Sequence, residues 1–255
     1  MTTSASLFSL EGKFAIVTGA SAGLGQSMAI GLAEAGADIA GVARREMSET
    51  RAFVEDAGRR FVGIEADLGS LEPIERIIAD TLAAYGRIDI LVNNAGTIRR
   101  SDSLEFSEHD WDEVIDLNLK SAFFLSQAAA RQLLQQGGGG KIINIASILS
   151  FQGGIRVPSY TASKSGLLGI TRLLACEWAK HGVNVNAIAP GYMETDNTKA
   201  LRDDPVRSQE ILARIPAGRW GIPDDLRGAV VFLASSASDY VHGHTLAVDG
   251  GWLAR

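Results

Sequence analysis

Seven short apolar runs, none longer than six residues, alternate with longer amphipathic stretches along the 255-residue chain. The runs lie at 14–17, 39–42, 61–64, 88–92, 141–145, 183–188 and 245–248, and Val and Ile recur in them. Runs this short and this rich in β-branched side chains suit buried strands, because a helix needs more residues to bury a face. Between them a helical period holds over about 23–35, 46–57, 71–85, 108–135, 159–180 and 223–233. Right-handed crossovers make successive strands of such a chain parallel and lay the helices on both faces of the sheet. The expected fold is therefore α/β, a single-domain Rossmann fold over residues 1–255 with a seven-stranded parallel sheet and helices on both faces.

Local chemistry marks several boundaries. Ser107, followed three residues later by Asp110, resembles an N-terminal cap, and glycines 137–140 end the long fourth helix. Gly36 ends the first helix, and Pro223 suits a first helical turn. Residues 1–10 read as a short arm without the basic start and apolar core of a signal peptide. The uncharged stretch 14–33 has the length of a membrane span, but the polar, glycine-rich 18–25 segment inside it favours strand, loop and helix over a lipid-facing helix. Residues 194–219 fit neither period and contain Pro205 and Pro216, so they are expected to form a mobile lid over a strand end.

Charge and cysteine content narrow the partners. A net charge of −6 argues against nucleic acid and favours a small-molecule ligand. With the single cysteine Cys176 no internal disulfide forms, and the expected location is cytoplasmic. The four histidines are not clustered with carboxylates at ligand spacing, so no metal site is expected. The four tryptophans are read as packing or subunit-contact residues.

The first strand runs into Thr18-Gly19-Ala20-Ser21-Ala22-Gly23-Leu24-Gly25, which opens directly into a helix. Helix N-terminal amides hold phosphate well, and glycines let backbone approach it closely. The Gly-x-x-x-Gly-x-Gly spacing differs from the common Gly-x-Gly-x-x-Gly fingerprint, but its place at the first strand-to-helix turn is that of a dinucleotide site. At the end of the second strand Ala43 offers no carboxylate to a ribose, while Arg44 and Arg45 are planar donors that suit a 2′-phosphate. This local chemistry permits NADP.

Tyr160 and Lys164 stand four residues apart, which puts a phenol and an ammonium on one helix face. A phenol titrates near about 10 in water, and a fixed cation beside it favours the phenolate. Such a pair can transfer protons.

These motifs together resemble the short-chain dehydrogenase/reductase family over nearly the whole chain: the 18–25 loop, Asp67-Leu68, Asn93-Asn94-Ala95-Gly96, Asn118, Ser147, Tyr160 with Lys164, and Pro190-Gly191 followed by Thr195. The resemblance implies that Tyr160 exchanges a proton with a carbonyl oxygen, that Ser147 hydrogen-bonds the same oxygen, and that Lys164 lowers the tyrosine pKa and binds ribose hydroxyls. Asn118 would hold a water linking Lys164 to solvent. The cofactor, NAD(H) or NADP(H), would be bound by Gly19, Ser21, Gly23, Leu24, Gly25, Arg44, Asp67, Leu68, Asn94, Ala95, Gly96, Tyr160, Lys164, Pro190, Gly191 and Thr195.

Segments 96–100, 150–160 and 247–255 further resemble the family's sugar-acid dehydrogenases, which implies a sugar-acid substrate, NAD use and a homotetramer built through the fourth and fifth helices and the C-terminal tail. Arg99, Arg100, Gln152 and Arg156 are the candidates to meet the substrate, the arginines through its carboxylate. Two other readings remain open, a 3-oxoacyl-[acyl-carrier-protein] reductase or other carbonyl reductase of the family, and a cofactor-sensing regulator without chemistry.

Overall fold

The computed structural model describes residues 3–255, so the first two residues of the N-terminal arm lie outside the described residues. Among them seven strands form one parallel sheet: β1 (Phe14–Thr18), β2 (Asp38–Ala43), β3 (Phe61–Glu65), β4 (Ile90–Asn93), β5 (Gly140–Ile145), β6 (Val183–Pro190) and β7 (Thr245–Val248). Their spatial order is β3-β2-β1-β4-β5-β6-β7. Chain direction reverses its march across the sheet between β1 and β4, and ligands of open α/β sheets bind in the crevice at that point. All eight residues of β6 are buried, as befits a strand covered on both faces. At the edges β3 buries only Phe61 and Ile64, and β7 is only partly covered.

Helices flank the sheet at α1 (Gly23–Glu34), α2 (Ser48–Asp56), α3 (Ile74–Tyr85), α4 (Glu108–Ile115), α5 (Ser121–Gln136) and α6 (Pro158–Trp178). The final turns are α7 (Lys199–Asp203), α8 (Pro205–Arg214) and α9 (Arg227–Ala234). Two apolar layers result. One packs Met28, Leu32 and Val230 from α1 and α9 against Ile39 and Ile143, and the other packs Ile77, Leu125, Leu133 and Leu174 against Ile16 and Leu91. Each such side chain contributes roughly 1.5–3 kcal/mol on full burial, so the two layers hold the strand ends, and the loops on them, in fixed register.

The Ser107 cap forms, its Oγ accepting from Asp110 N at 3.1 Å. Glycines 137–139 all have positive φ, and a Cβ on Gly139 would overlap the Gly182 carbonyl, so this turn requires glycine. The single helix expected over 108–135 is interrupted by a π-helical turn at Asp116–Lys120, where Ser121 N–H bonds back to Asp116 O. The segment 194–219 is not irregular: after a short turn at Asp196–Thr198 it folds into α7 and α8. The period of α8 is amphipathic but spans only ten residues, with a break at Asp204 between it and the five-residue α7. These two helices rest on their own cluster of Ile148, Ile211, Ile215, Trp220 and Trp252, separate from the two layers of the sheet. Tyr192 packs between the two tryptophans, edge-on to Trp220 and tilted against Trp252, with centroid distances of 5.5 and 4.7 Å. No helix among the described residues is long and apolar enough to cross a membrane.

Candidate active site

A cleft of about 460 Å³ opens over the carboxyl ends of β1, β4, β5 and β6, between the 19–25 loop and the segment 193–202. Thr18 ties the two central strands together: its Oγ donates to Val92 O at 3.3 Å and accepts from Asn94 N and Ala95 N, both at 2.9 Å. Asn94 Nδ2 donates to Thr18 O at 2.8 Å, which seats the Asn94-Ala95-Gly96 turn beside the glycine loop. A Cβ on Gly25 would overlap Gly19 O and the Asn94 amide, so the loop closes this tightly only with glycine. The N-terminus of α1 has no side-chain cap, and Gly23, Leu24 and Gly25 line the cleft there. Its first-turn amides are therefore free for an anion, and the positive end of the helix favours one. These features fit the pyrophosphate of a dinucleotide.

On the opposite wall, Pro158 starts α6 at the position where proline is best tolerated, which places Tyr160 in the first turn and Lys164 in the next. Lys164 is 5% exposed; its Nζ donates to Ile145 O at 2.7 Å and stands 5.7 Å from the centre of the Tyr160 ring. Burial pulls the ammonium down to about 8. Burial also dominates Tyr160 and holds its phenol above the ordinary value, while the Ser147 hydroxyl and the charge of Arg100 act to lower it. Desolvation of the ring is the largest influence on Tyr160, and the cation that opposes it is Arg100 rather than the Lys164 expected from the sequence. Ser147 Oγ accepts from Leu149 N at 3.1 Å, which occupies a lone pair and leaves the hydroxyl proton available.

Asn118 sits in the π-helical turn, a feature that often marks functional positions. Its Oδ1 accepts from Thr97 N at 2.8 Å, and its Nδ2 donates to Thr97 O at 2.9 Å and Ser163 Oγ at 3.2 Å. The amide clamps the loop after β4 to α6. A water on Asn118 has only the second lone pair of Oδ1 or the backbone carbonyl to use. Behind it, Asn93 Nδ2 donates to Ser126 Oγ at 2.8 Å and Asn144 Oδ1 at 2.9 Å, and Asn144 Nδ2 donates to Thr171 Oγ at 2.9 Å. This satisfied buried network locks β4, β5, α5 and α6 together beneath the site.

The substrate arginines separate. Arg99 is held by Glu113, with Nε to Oε2 at 2.8 Å, and approaches Asp110 at 3.6 Å. Arg156, in a left-handed conformation at φ 63°, pairs with Asp102 at 3.3 Å. Gln152 Oε1 accepts from Arg214 at 3.3 Å. Neither these three nor Arg100 line the cleft. Arg100 is the arginine whose charge reaches Tyr160, and its Nη2 donates to Asn197 O of the lid at 2.8 Å.

Of the expected cofactor residues, Gly19, Gly23, Leu24, Gly25, Asn94, Ala95, Gly96, Tyr160, Lys164, Pro190, Gly191 and Thr195 line the cleft together with Ser147. Arg44 and Asp67 lie outside it, facing each other at 3.7 Å with both side chains exposed. Ser21, Leu68 and Asn118 also stay out of the lining. Sequence reasoning missed Glu194, Asn197 and Arg202, which enter through the lid, and Asn144, whose polar side chain inside the apolar run 141–145 was the available signal. His242 meets Asn184 at 3.2 Å. No group of three or more possible metal ligands occurs among the described residues.

A parallel doubly wound sheet, a glycine loop at its switch point and a serine, tyrosine and lysine on the facing wall define a dinucleotide-dependent oxidoreductase. A family model described as "Enoyl-(Acyl carrier protein) reductase" matches residues 19–253. The chain belongs to the short-chain dehydrogenase/reductase family. It is 66% identical over 250 residues to the 2-dehydro-3-deoxy-D-gluconate 5-dehydrogenase of Escherichia coli (strain K12), covering 98% of this chain and 99% of that one. Identity to the Bacillus subtilis (strain 168) enzyme of the same name is 55% over 249 residues, with 97% of each chain covered. A solved gluconate 5-dehydrogenase from Burkholderia cenocepacia J2315, in complex with NADP and tartrate, superposes with a TM-score of 0.94 at 39% identity, over 99% of this chain and 100% of that one.

Proposed function

We propose that the protein is an NAD(P)-dependent dehydrogenase that interconverts a hydroxyl and a ketone on a sugar acid such as 2-dehydro-3-deoxy-D-gluconate. The observation that carries this reading is Arg100, whose charge acts on the candidate proton donor Tyr160 and whose Nη2 is tethered at 2.8 Å to the carbonyl of Asn197, a residue of the cleft wall. A carboxylate docked on that fork would fix one end of the sugar chain and orient a hydroxyl further along it, such as that on C5 of the six-carbon chain, towards the phenol. The names of the two relatives and the tartrate in the Burkholderia protein support the same substrate class.

The glycine loop and α1 amides would hold the pyrophosphate, and Lys164 the nicotinamide ribose. When bound, the nicotinamide supplies or accepts the hydride. Tyr160 Oη gives its proton to the carbonyl oxygen in reduction and takes one back in oxidation. Ser147 donates to that oxygen and stabilises the charge that develops on it. Lys164, charged below about pH 8, stabilises the phenolate left behind. Asn118 keeps the Thr97 backbone in place, and the lid closes over both ligands. Arg44 meets a 2′-phosphate when NADP is used and stays on Asp67 when NAD is used.

The working assembly is a homotetramer. Its support is the partly exposed apolar face of Phe124 and Leu134 on α5 and Leu173 on α6, with exposures of 36, 44 and 52%, beside a groove of about 350 Å³. The cytoplasm is its compartment, in keeping with one free cysteine, Cys176.

Arg100→Met tests the substrate assignment. Under this reading the KM for the sugar acid rises at least about tenfold while cofactor Kd stays within about twofold, the size of one lost charge-assisted contact. An unchanged KM would remove the carboxylate from this site. The description of the matching family model favours an acyl-carrier-protein substrate as the second reading; turnover of an acyl thioester above that of sugar acids would establish it instead.

A further inference from the structure

The lid brings into the cleft a guanidinium that the chemistry above does not use. Arg202, near the end of α7, lines the cleft; its Nη2 donates to Thr195 O at 3.1 Å, while its Nε is buried without a hydrogen-bond partner. The other lid arginines are engaged, Arg207 with Glu210 at 2.9 Å, Arg219 with Asp225 at 2.7 Å, and Arg214 over the Trp252 ring at 4.1 Å. Among the described residues Arg202 forms no ion pair, although Glu194 and Asp196 line the same cleft. A buried guanidinium N–H without an acceptor is costly, and its planar fork matches a phosphate or carboxylate.

Position decides between those two anions. The Thr195 methyl carbon lies 3.9 Å from where a Cβ on Gly23 would stand, so Thr195, and the guanidinium on its carbonyl, adjoin the first turn of α1. Arg100 rather than Arg202 is the cation that acts on Tyr160. Arg202 therefore stands in the cleft wall at the phosphate end, whereas Arg100, outside the lining, acts on the proton donor.

We infer that Arg202 is a cofactor-binding residue that donates to the pyrophosphate oxygens from the side opposite the α1 amides and thereby fastens the lid over the dinucleotide. The inference rests on dinucleotide binding and is independent of the sugar-acid assignment. The test compares wild type with Arg202→Met and Arg202→Lys. Kd is measured for NADH and NADPH by fluorescence and for ADP-ribose, which retains the pyrophosphate but lacks the nicotinamide and 2′-phosphate, by competition, each at low and high NaCl.

Arg202→Met should weaken the better-bound nicotinamide nucleotide and ADP-ribose by the same factor, about tenfold or more. Arg202→Lys should recover part of that loss, and wild type should lose more affinity with salt than the methionine variant. Unchanged Kd values would overturn the inference, as would a loss confined to the nicotinamide nucleotide or a lysine variant no better than methionine. A rise in sugar-acid KM alone would assign Arg202 to the substrate instead. If wild type turned over no sugar acid but bound ADP-ribose through Arg202, the substrate reading would fail and this one would stand; wild type that bound no nucleotide would sink the dinucleotide reading itself.

Discussion

Replacing Lys164 by methionine removes a charge that the folded, cofactor-free protein holds at a cost. The side chain is 5% exposed, and its hydrogen-bond partner, Ile145 O at 2.7 Å, is neutral. Burial lowers the ammonium from 10.5 to about 8, which corresponds to about 3 kcal/mol at roughly 1.36 kcal/mol per pH unit. The sign follows from proton counting. Between about pH 8 and 10.5 the unfolded chain keeps a proton that the folded chain has released, so wild-type stability rises with pH across that window; below pH 8 both states are protonated and the full cost is present. Met fills the same space without the charge. Urea denaturation of both proteins without cofactor, at pH 7 and pH 10.5, should show the stability difference between them shifting by about 3 kcal/mol in favour of wild type at the higher pH. Groups shared by the two proteins cancel in that comparison. A difference that stays constant with pH would mean that Lys164 is not desolvated, and the cationic support for the Tyr160 phenolate would need another source.

Tyr160→Phe should reduce turnover by about 10²–10⁴-fold in steady-state assays while the cofactor Kd in fluorescence titration moves less than about twofold; equal losses in both would contradict a proton-transfer role. Gly25→Ala should abolish cofactor binding in the same titration while the far-ultraviolet circular dichroism of the sheet persists, because the added methyl meets Gly19 O and the Asn94 amide; tight binding by this variant would show that the loop relaxes freely. Arg44→Ala should leave thermal stability nearly unchanged, since its exposed pair with Asp67 at 3.7 Å is worth about 0–1 kcal/mol, yet lower the NADPH-to-NADH ratio of kcat/KM by about tenfold. An unchanged ratio would leave the Arg44 side chain in solvent.

What was legible in the sequence and what was not divide along the range of the interactions. The strands at 14–17, 39–42 and 183–188 could be read because each must bury its own side chains, and β1, β2 and β6 enclose all three runs. Tyr160 with Lys164, the glycine loop and the Ser107 cap could be read because their partners lie within a few residues. The surroundings of Arg99, Gln152 and Arg156 were not legible for the opposite reason: each meets a group from another part of the chain, Glu113, Arg214 and Asp102, that spacing does not reveal.

By itself, then, the order of residues determined the alternation of strand and helix, the parallel sheet, the phosphate-binding turn and the phenol–ammonium pair, all consequences of local period and local chemistry. Only the tertiary structure decided which arginine acts on the phenol, that Asn118 is a clamp within a π-helical turn, that residues 194–219 form two helices beside a separate apolar cluster, and that burial lifts Tyr160 while lowering Lys164. Desolvation and ion pairing depend on what surrounds a group in space, and those surroundings come from residues as far apart in the chain as Arg100 and Asn197.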